Sequence, residues 1–553
     1  MKKTFIFFSL SLSSLVTPTF LSSCSTDNGF YMANYESYIN DDLLNGLENN
    51  LYSSTINEGS NTLKVNIDNF NFRTYSTNED LERNFTTNYD VAIPSDYLAA
   101  KYANEGKILP LDWSKFNLYK LDKYGNRTNE KIRNAYDALT LFTPHVREEL
   151  QSYDLTIAFK NDNISEQDQK AGLLNYCVPY FAQDVLMGYN SKTDWGFNGN
   201  TDWETIVSKL GEKINNRNVA RASVVDDFST LYSVARLIET NNKTANAGDP
   251  IEENFGSTPY TGNLSISEAI NTLSKMFNKH SRKNAFLFNS DSNILLNDFA
   301  QNGSQAIIAY NGDLLFAMQG GDSYSFSTDQ SQFESWLKSR FNGDTFNLRI
   351  VRPPKNLTVL DCMVINKERA VKKNHINESY AVIKKICLEG SDESLYDSNN
   401  KNKYSDGESP LIVKTDENDE YINGPAMNFD YTNYSSPLLT LNAYILNSSS
   451  DENLYKTPKS LKVNTSYIAN SDLGSLEDSL SITLKGNGYF TNALSFLKDD
   501  QTLTENQYDN YIQALVNVYN ITENVNANYV TRSLSDLVKD NIGWAWLDVK
   551  NNL

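Results

Sequence analysis

The stretch NYDVAIPSDYLAAKYANEGKI, residues 88–108, decides how the rest of the chain is read. Val91, Ala92 and Ile93 are consecutive apolar residues, the pattern of a strand covered on both faces. The chain then runs through Pro94, Ser95, Asp96 and Tyr97 into a helical pattern. In open α/β sheets, ligands sit beyond the carboxyl ends of the strands, where this turn lies. Ser95 is placed to cap the helix through its hydroxyl, and Tyr97 offers a flat face and a hydroxyl. The residues alone leave two readings open: a ligand site, or a capped turn with a core tyrosine.

Working outward, strands and helices alternate. Residues 29–35 read as a strand, and residues 40–51 as a helix with Leu43, Leu44 and Leu47 at helical spacing. Leu63, Val65 and Ile67 alternate as a strand, and residues 77–85 form a short helix with Glu79, Asp80 and Glu82 in its first turns. Further on, residues 177–189 are strand-like, 202–210 helical, and 220–225 a strand running into Asp226 and Asp227. Helices are expected over 266–277 and 291–301, with Gly303 near the end of the second. Residues 306–310 form a strand, followed by Asn311-Gly312-Asp313 and a new helix. This order predicts a mainly parallel sheet with helices on its faces. Polar segments interrupt the plan: a partly helical 120–170, an insertion over 320–345, and a mobile surface loop over 390–423. Near the carboxyl end, 506–519 and 533–547 read as helices.

The amino terminus has a basic start, Lys2-Lys3, an apolar run over residues 5–16, and small residues ahead of Cys24, which reads as a secretory signal. The run is too short for a membrane span, which needs roughly 20 apolar residues. Cys177, Cys362 and Cys387 sit in apolar contexts and read as small buried hydrophobes, although one cross-link is possible. The formal net charge of −20 argues against nucleic acid, whose phosphates need a basic patch. The same charge can draw cations, or serve solubility alone.

Catalytic constellations are missing. His145, His280 and His375 are scattered singly and read as surface or structural residues. The chain has no glycine-rich phosphate loop, no GxSxG turn and no CxxC pair, and the SxxK match at Ser335–Lys338 lacks its KTG companion. The expectation is a non-enzyme with no cofactor and no metal.

Two resemblances add to this reading. Leu21-Ser22-Ser23-Cys24 resembles a bacterial lipobox. It implies a signal peptide over 1–23, a lipid on Cys24, a tether over 24–33, and a body held at the extracytoplasmic face of the cell membrane. Asn34-Tyr35-Glu36-Ser37-Tyr38, together with the opening stretch, resembles the substrate-binding proteins of spermidine/putrescine ABC importers. Shorter matches follow in order: Val178-Pro179-Tyr180 with Gly188-Tyr189-Asn190, Thr201-Asp202-Trp203, Val225-Asp226-Asp227, Phe288-Asn289-Ser290-Asp291, Ala309-Tyr310-Asn311-Gly312, and Asp361 in LTVLDCMVIN. They cover residues 28 to about 440.

The resemblance implies a two-lobed, periplasmic-binding-protein-like (type II) fold, with two α/β lobes joined by crossing strands and carrying insertions. Lobe one would hold residues 34–182 and 360–442, lobe two 183–359 and 443–553. The implied job is capture of a polyamine, putrescine or spermidine, and delivery to ABC permease subunits. Tyr35, Tyr38, Ser95, Tyr97, Asp227, Ser290, Tyr310, Asp361 and Tyr434 fall where that family contacts its ligand. The residue types fit a polyamine. Aromatic faces cover methylenes and attract cations, at about 0.5–2 kcal/mol each, and carboxylates bind ammonium through charge-assisted hydrogen bonds. Asp227 can also cap the helix that follows it. Tyr35, Val359, Thr230 and Tyr310 replace tryptophans or an acid of the family pattern. A pocket less aromatic and one carboxylate poorer suits a shorter diamine or a zwitterion. A surface adhesin on a retained binding-protein scaffold is the alternative that the insertions and the 390–423 tract motivate. A secreted hydrolase is the reading the missing constellations oppose.

Overall fold

The structure is a computed structural model that describes residues 29–36, 38–122, 127–190, 195–197, 201–210, 222–241, 264–277, 286–289, 292–300, 303–314, 348–353, 356–394, 422–432, 434–441, 529–530 and 536–553. Cys24, Ser290, His280, the SxxK tetrad, the segments 320–345 and 506–519, and most of the 390–423 tract lie outside these residues.

Fourteen strands are described: β1 Phe30–Tyr35, β2 Ser53–Glu58, β3 Asn61–Asn66, β4 Phe70–Tyr75, β5 Val91–Ala92, β6 Tyr119–Leu121, β7 Arg127–Lys131, β8 Cys177–Asn190, β9 Ala222–Val225, β10 Phe286–Asn289, β11 Ala306–Tyr310, β12 Leu348–Val351, β13 Leu357–Ile365 and β14 Tyr529–Val530. The long sheet has the order β10-β9-β11-β8-β13-β5-β1-β4. At one end β4, β1 and β5 are parallel neighbours, and at the other β10, β9 and β11 are.

Two antiparallel strands join these halves. The first part of β8 pairs with β13, from Cys177 against Val364 to Asp184 against Thr358. The second part, Val185 to Asn190, pairs with β11 and β12. The result is two α/β lobes connected by crossing strands, the architecture expected from the sequence. Arg352 fastens the crossing, with Nε and a terminal nitrogen donating to Asp184 Oδ2 at 2.9 and 2.6 Å, and Thr358 also donates to Asp184.

The crossing strands are buried because their sequences are apolar on both faces; all nine residues of β13 are buried. Their register slips between Asp361 and Cys362, where Tyr180 is the unpaired extra residue beside Pro179. Proline lacks the N–H a regular ladder needs, so a bulge is its natural place in a central strand. The bulge lies on β8, opposite the Asp361–Cys362 step of β13.

Helix starts follow local chemistry. Asn40 and Thr77 accept from backbone N–H groups at the starts of helices Asp41–Glu48 and Asn78–Asn88. Ser265 and Glu268 form a reciprocal capping box on helix Ile266–Met276. Ser95 departs from its expected role: it holds the N-cap position of helix Asp96–Asn104, yet its hydroxyl makes no capping bond. Asp361 takes the hydroxyl instead, as described below.

Several elements differ from the sequence expectation. β4 was hidden by its polar neighbours, although Phe70 and Phe72 alternate in it. β3 lies outside the long sheet, in a hairpin with β2. The 120–170 segment is part of the core rather than an interruption: Tyr136, Leu139, Leu141, Phe142, Val146 and Leu150 are buried. Cys177, Cys362 and Cys387 are buried and free.

The carboxyl-terminal helix Asp536–Asn552 packs against helices Phe228–Asn241 and Ile266–Met276. Trp546 sits 5.2 Å from Phe277 and 4.9 Å from Phe288 between ring centroids, and its Nε1 donates to Asp226 at 2.6 Å. In the other lobe, fully buried Asp90 receives Tyr31 N at 2.8 Å and Arg369 Nε at 3.0 Å, and pairs with His375 Nδ1 at 2.9 Å. His375 is therefore structural.

Candidate binding cleft between the lobes

The residues that follow the carboxyl ends of parallel strands in both lobes supply the candidate site. β1 leads to Tyr35 and Tyr38, β5 to Ser95 and Tyr97, β9 to Asp227 and β11 to Tyr310, and β13 carries Asp361 opposite the bulge of β8. Strand ends of an open α/β sheet are where converging polar side chains are free of ladder duty.

Asp361 is the centre of the first cluster. Its Oδ2 accepts from Tyr38 Oη at 2.6 Å and from Gln183 Nε2, and its Oδ1 accepts from Ser95 Oγ at 3.4 Å. Backbone pairing between Ser95 and Asp361 brings the two together. Tyr38 meets Tyr35, Tyr180, Phe181 and Tyr434 at centroid distances of 5.7, 5.8, 5.3 and 5.3 Å, so an aromatic wall surrounds the carboxylate. Asn78 extends the cluster outward: its Nδ2 donates to Ser95 Oγ at 3.1 Å and to Tyr97 Oη at 2.9 Å.

The second cluster lies on the opposite lobe. Asp227 accepts Ser229 N at 3.0 Å and Thr230 Oγ1 at 2.7 Å, so it does cap helix Phe228–Asn241. Thr230 Oγ1 in turn lies 2.7 Å from Tyr310 Oη. Tyr434 Oη donates to Asp313 at 2.8 Å, and the Tyr434 ring lies against Gly312, where an added Cβ would come within 2.5 Å of it.

Electrostatics mark these carboxylates. Burial pushes Asp361 up to about 7, against the pull of hydrogen bonds from Tyr38, Gln183 and Ser95. Burial likewise pushes Asp313 up to about 6 and raises Asp227. Tyr97 and Tyr310 are held well above the phenol range, first by burial and then by neighbouring anionic groups, Asp227 among them. Among the described residues, no ion pair includes Asp361, Asp227 or Asp313. Buried carboxylates without a counter-ion favour a cation that can reach them.

The structure thus gathers Tyr35, Tyr38, Ser95, Asp361 and Tyr434 through direct contacts, joins Tyr97 to them through Asn78, and joins Asp227 to Tyr310 through Thr230. Sequence reading missed Gln183, Asn78, Asp313 and Asp96. Gln183 and Asp184 are a polar pair inside an otherwise apolar strand, which is a legible signal. Asp96 accepts Leu360 N at 2.9 Å and so fastens the start of its helix to β13, and burial pushes it up to about 7.

A family model described as hypothetical lipoprotein (MG045 family) matches residues 1–553, the whole chain. The chain belongs to the MG045 family of hypothetical lipoproteins. No curated protein matches this member. Among solved structures, it is similar to a putative spermidine/putrescine ABC transporter from Listeria monocytogenes, at 13% identity and a TM-score of 0.45, covering 95% of this chain and 99% of that one. It is also similar to the spermidine/putrescine substrate-binding protein PotD of Streptococcus pneumoniae, solved with calcium and HEPES, at 14% identity and a TM-score of 0.44, with coverages of 95% and 99%. The binding protein AgtB of A. tumefaciens R10, in complex with agropinic acid, matches at 12% identity and a TM-score of 0.35, covering 88% and 98%. Among the described residues of this MG045-family chain, no helix is long and apolar enough to cross a membrane.

Proposed function

We propose that this lipoprotein captures a small organic cation between its lobes and hands it to the permease subunits of an ABC importer. Residues 34–182 and 360–442 form one lobe in this reading, and 183–359 and 443–553 the other. The observation that carries it is Asp361: a buried carboxylate, walled by tyrosines, whose protein partners are all neutral donors. Asp361 and Asp227 receive ammonium groups, while Tyr35, Tyr38, Tyr97, Tyr310 and Tyr434 cover the carbon chain. Ser95 supplies a hydroxyl beside Asp361, and Ser290 is proposed as a further hydroxyl contact. A polyamine of the putrescine class has the charge and the methylenes that these residue types suit.

Calorimetric titration of the full chain, purified in detergent, with putrescine and spermidine tests this. Saturable binding of at least one amine is expected. No heat with either, alongside tight binding of a neutral or anionic solute, would end the cation reading.

The anchor has its own test. Replacing Cys24 by alanine should shift the protein from the membrane fraction to the soluble fraction and remove incorporation of a labelled fatty acid, because a lipid chain contributes about 0.8 kcal/mol of membrane affinity per buried methylene. Retention of both by the variant would rule Cys24 out as the lipid site.

A further inference from the structure

We propose that Lys539 determines which amines enter: its tethered ammonium fills the outer cation place of the cleft, at Tyr97 and Glu79, and leaves the inner place at Asp361 for the solute. The inference rests on the cation reading above and narrows it to a solute with one ammonium, or two closely spaced ones.

Lys539 stands on the carboxyl-terminal helix, which is fixed to the second lobe. Trp546 and Lys550 both bond Asp226, at 2.6 and 2.7 Å, and Asn541 Nδ2 donates to Leu264 O at 2.8 Å. From this platform the Lys539 side chain reaches the first lobe. Its Nζ lies 5.6 Å from the centre of the Tyr97 ring and 3.6 Å from Glu79 Oε1, with its side chain 15% exposed. An ammonium over a tyrosine face beside a carboxylate is the arrangement a polyamine nitrogen would make.

Side-chain hydrogen bonds link the outer place to the inner one. Asn78 donates to Tyr97 Oη and to Ser95 Oγ, and Ser95 reaches Asp361. A single side-chain amide therefore separates the phenol under Lys539 from the hydroxyl on the inner carboxylate. A long polyamine with one nitrogen at Asp361 would direct its chain toward Tyr97 and meet Lys539 there. Like charges repel, and a tethered group competes at an effective concentration on the order of millimolar or more. Glu79 is 46% exposed, so the ion pair contributes little to folding. Its consequence falls on selection rather than on stability.

The test compares the full chain with its Lys539→Met variant, which keeps the stem and removes the charge. Both are titrated with putrescine and with spermidine, and thermal midpoints confirm that both are folded. Wild type should prefer putrescine. The variant should shift the ratio of the two affinities toward spermidine by tenfold or more, mostly through tighter spermidine binding. An unchanged ratio, a shift toward putrescine, or an equal weakening of both amines would overturn the inference while leaving the cation reading standing. Failure of both proteins to bind either amine would overturn the two together.

Discussion

Replacing Asp361 by asparagine will weaken amine binding by about 100-fold or more and will make the ligand-free protein more stable at pH 8. The first effect follows from removing one partner of a buried, hydrogen-bonded charge pair, which costs roughly 2–5 kcal/mol. The second follows from burial. The Asp361 carboxyl is pushed from 3.8 up to about 7, so ionised Asp361 opposes folding at alkaline pH, by about 4 kcal/mol for a shift of about three units. A raised folded-state value means that the stability is fully present below pH 3.8 and is lost as pH rises through about 7. The thermal midpoint of wild type should therefore fall between pH 5 and 8. The variant should gain most over wild type at pH 8 and nothing at pH 4. Asp96 and Asp313 shift in the same direction and remain in both proteins; the Asp361 charge is one of the causes that raise Asp96, so the difference between the two reports Asp361 together with its effect on Asp96. Asparagine can keep the local bonds: its oxygen accepts from Tyr38 and Gln183, and its amide donates to Ser95 Oγ. Amine affinity of wild type should also decline as pH falls through about 7, because the proton and the ammonium compete for one carboxylate. A variant that binds amines as wild type does, or that loses stability at pH 8, would remove Asp361 from the centre of the site.

The resemblance pointed to Asp361, and the strand carries an independent signal for it: Asp361 is the one charged residue in the nine-residue run LTVLDCMVI. A charge there needs a reason, and the strand pattern places it in the middle of the molecule. The opening turn was legible for a similar reason: an apolar triplet, a proline and a helix leave few conformations open. Residues whose roles depend on remote partners were not legible. Gln183 meets Asp361 across 178 positions of chain, and Asn78 looked like an ordinary polar residue in the first turn of a helix. The position of Ser95 ahead of a helix predicts a cap, because its own hydroxyl is the nearest acceptor. The Ser95 N–H is bonded by Asn78 Oδ1 at 3.2 Å and its hydroxyl is drawn to Asp361. A charge-assisted bond to a carboxylate outweighs a neutral bond to a backbone N–H. The 120–170 segment misled because average polarity conceals a few buried positions. Arg147 contributes to its polarity, yet this side chain is buried and donates to the carbonyls of Phe142 and Thr140 at 2.8 and 3.3 Å.

Replacing Asp90 by alanine will cause a large loss of stability. The carboxylate is fully buried and has three partners: the Tyr31 N–H, the Arg369 guanidinium and His375. Alanine leaves Arg369 nearly buried without a counter-ion, and deserting one member of a buried pair costs about 3–5 kcal/mol. For a lobe-sized unit that corresponds to a fall of roughly 6–20 °C in thermal midpoint. Asp90→Asn, which keeps an acceptor, should fall by less. Adding Arg369→Met to Asp90→Ala should recover part of the loss, because the stranded charge goes with it. The loss reaches the cleft through geometry. β5 has only two residues, and Asp90 holds its entry on one side while Ser95 and Tyr97 leave it on the other. Asn366 N bonds the Asp90 carbonyl at 2.9 Å, so the backbone at this point also ties β5 to the end of β13. Loosening Asp90 lets the whole 90–97 segment shift against Asp361. Asp90→Asn, the milder change, should therefore bind amines more weakly than wild type even at temperatures where it is fully folded. A midpoint within about 2 °C of wild type for Asp90→Ala would show that the ion cluster does not hold β5 in place.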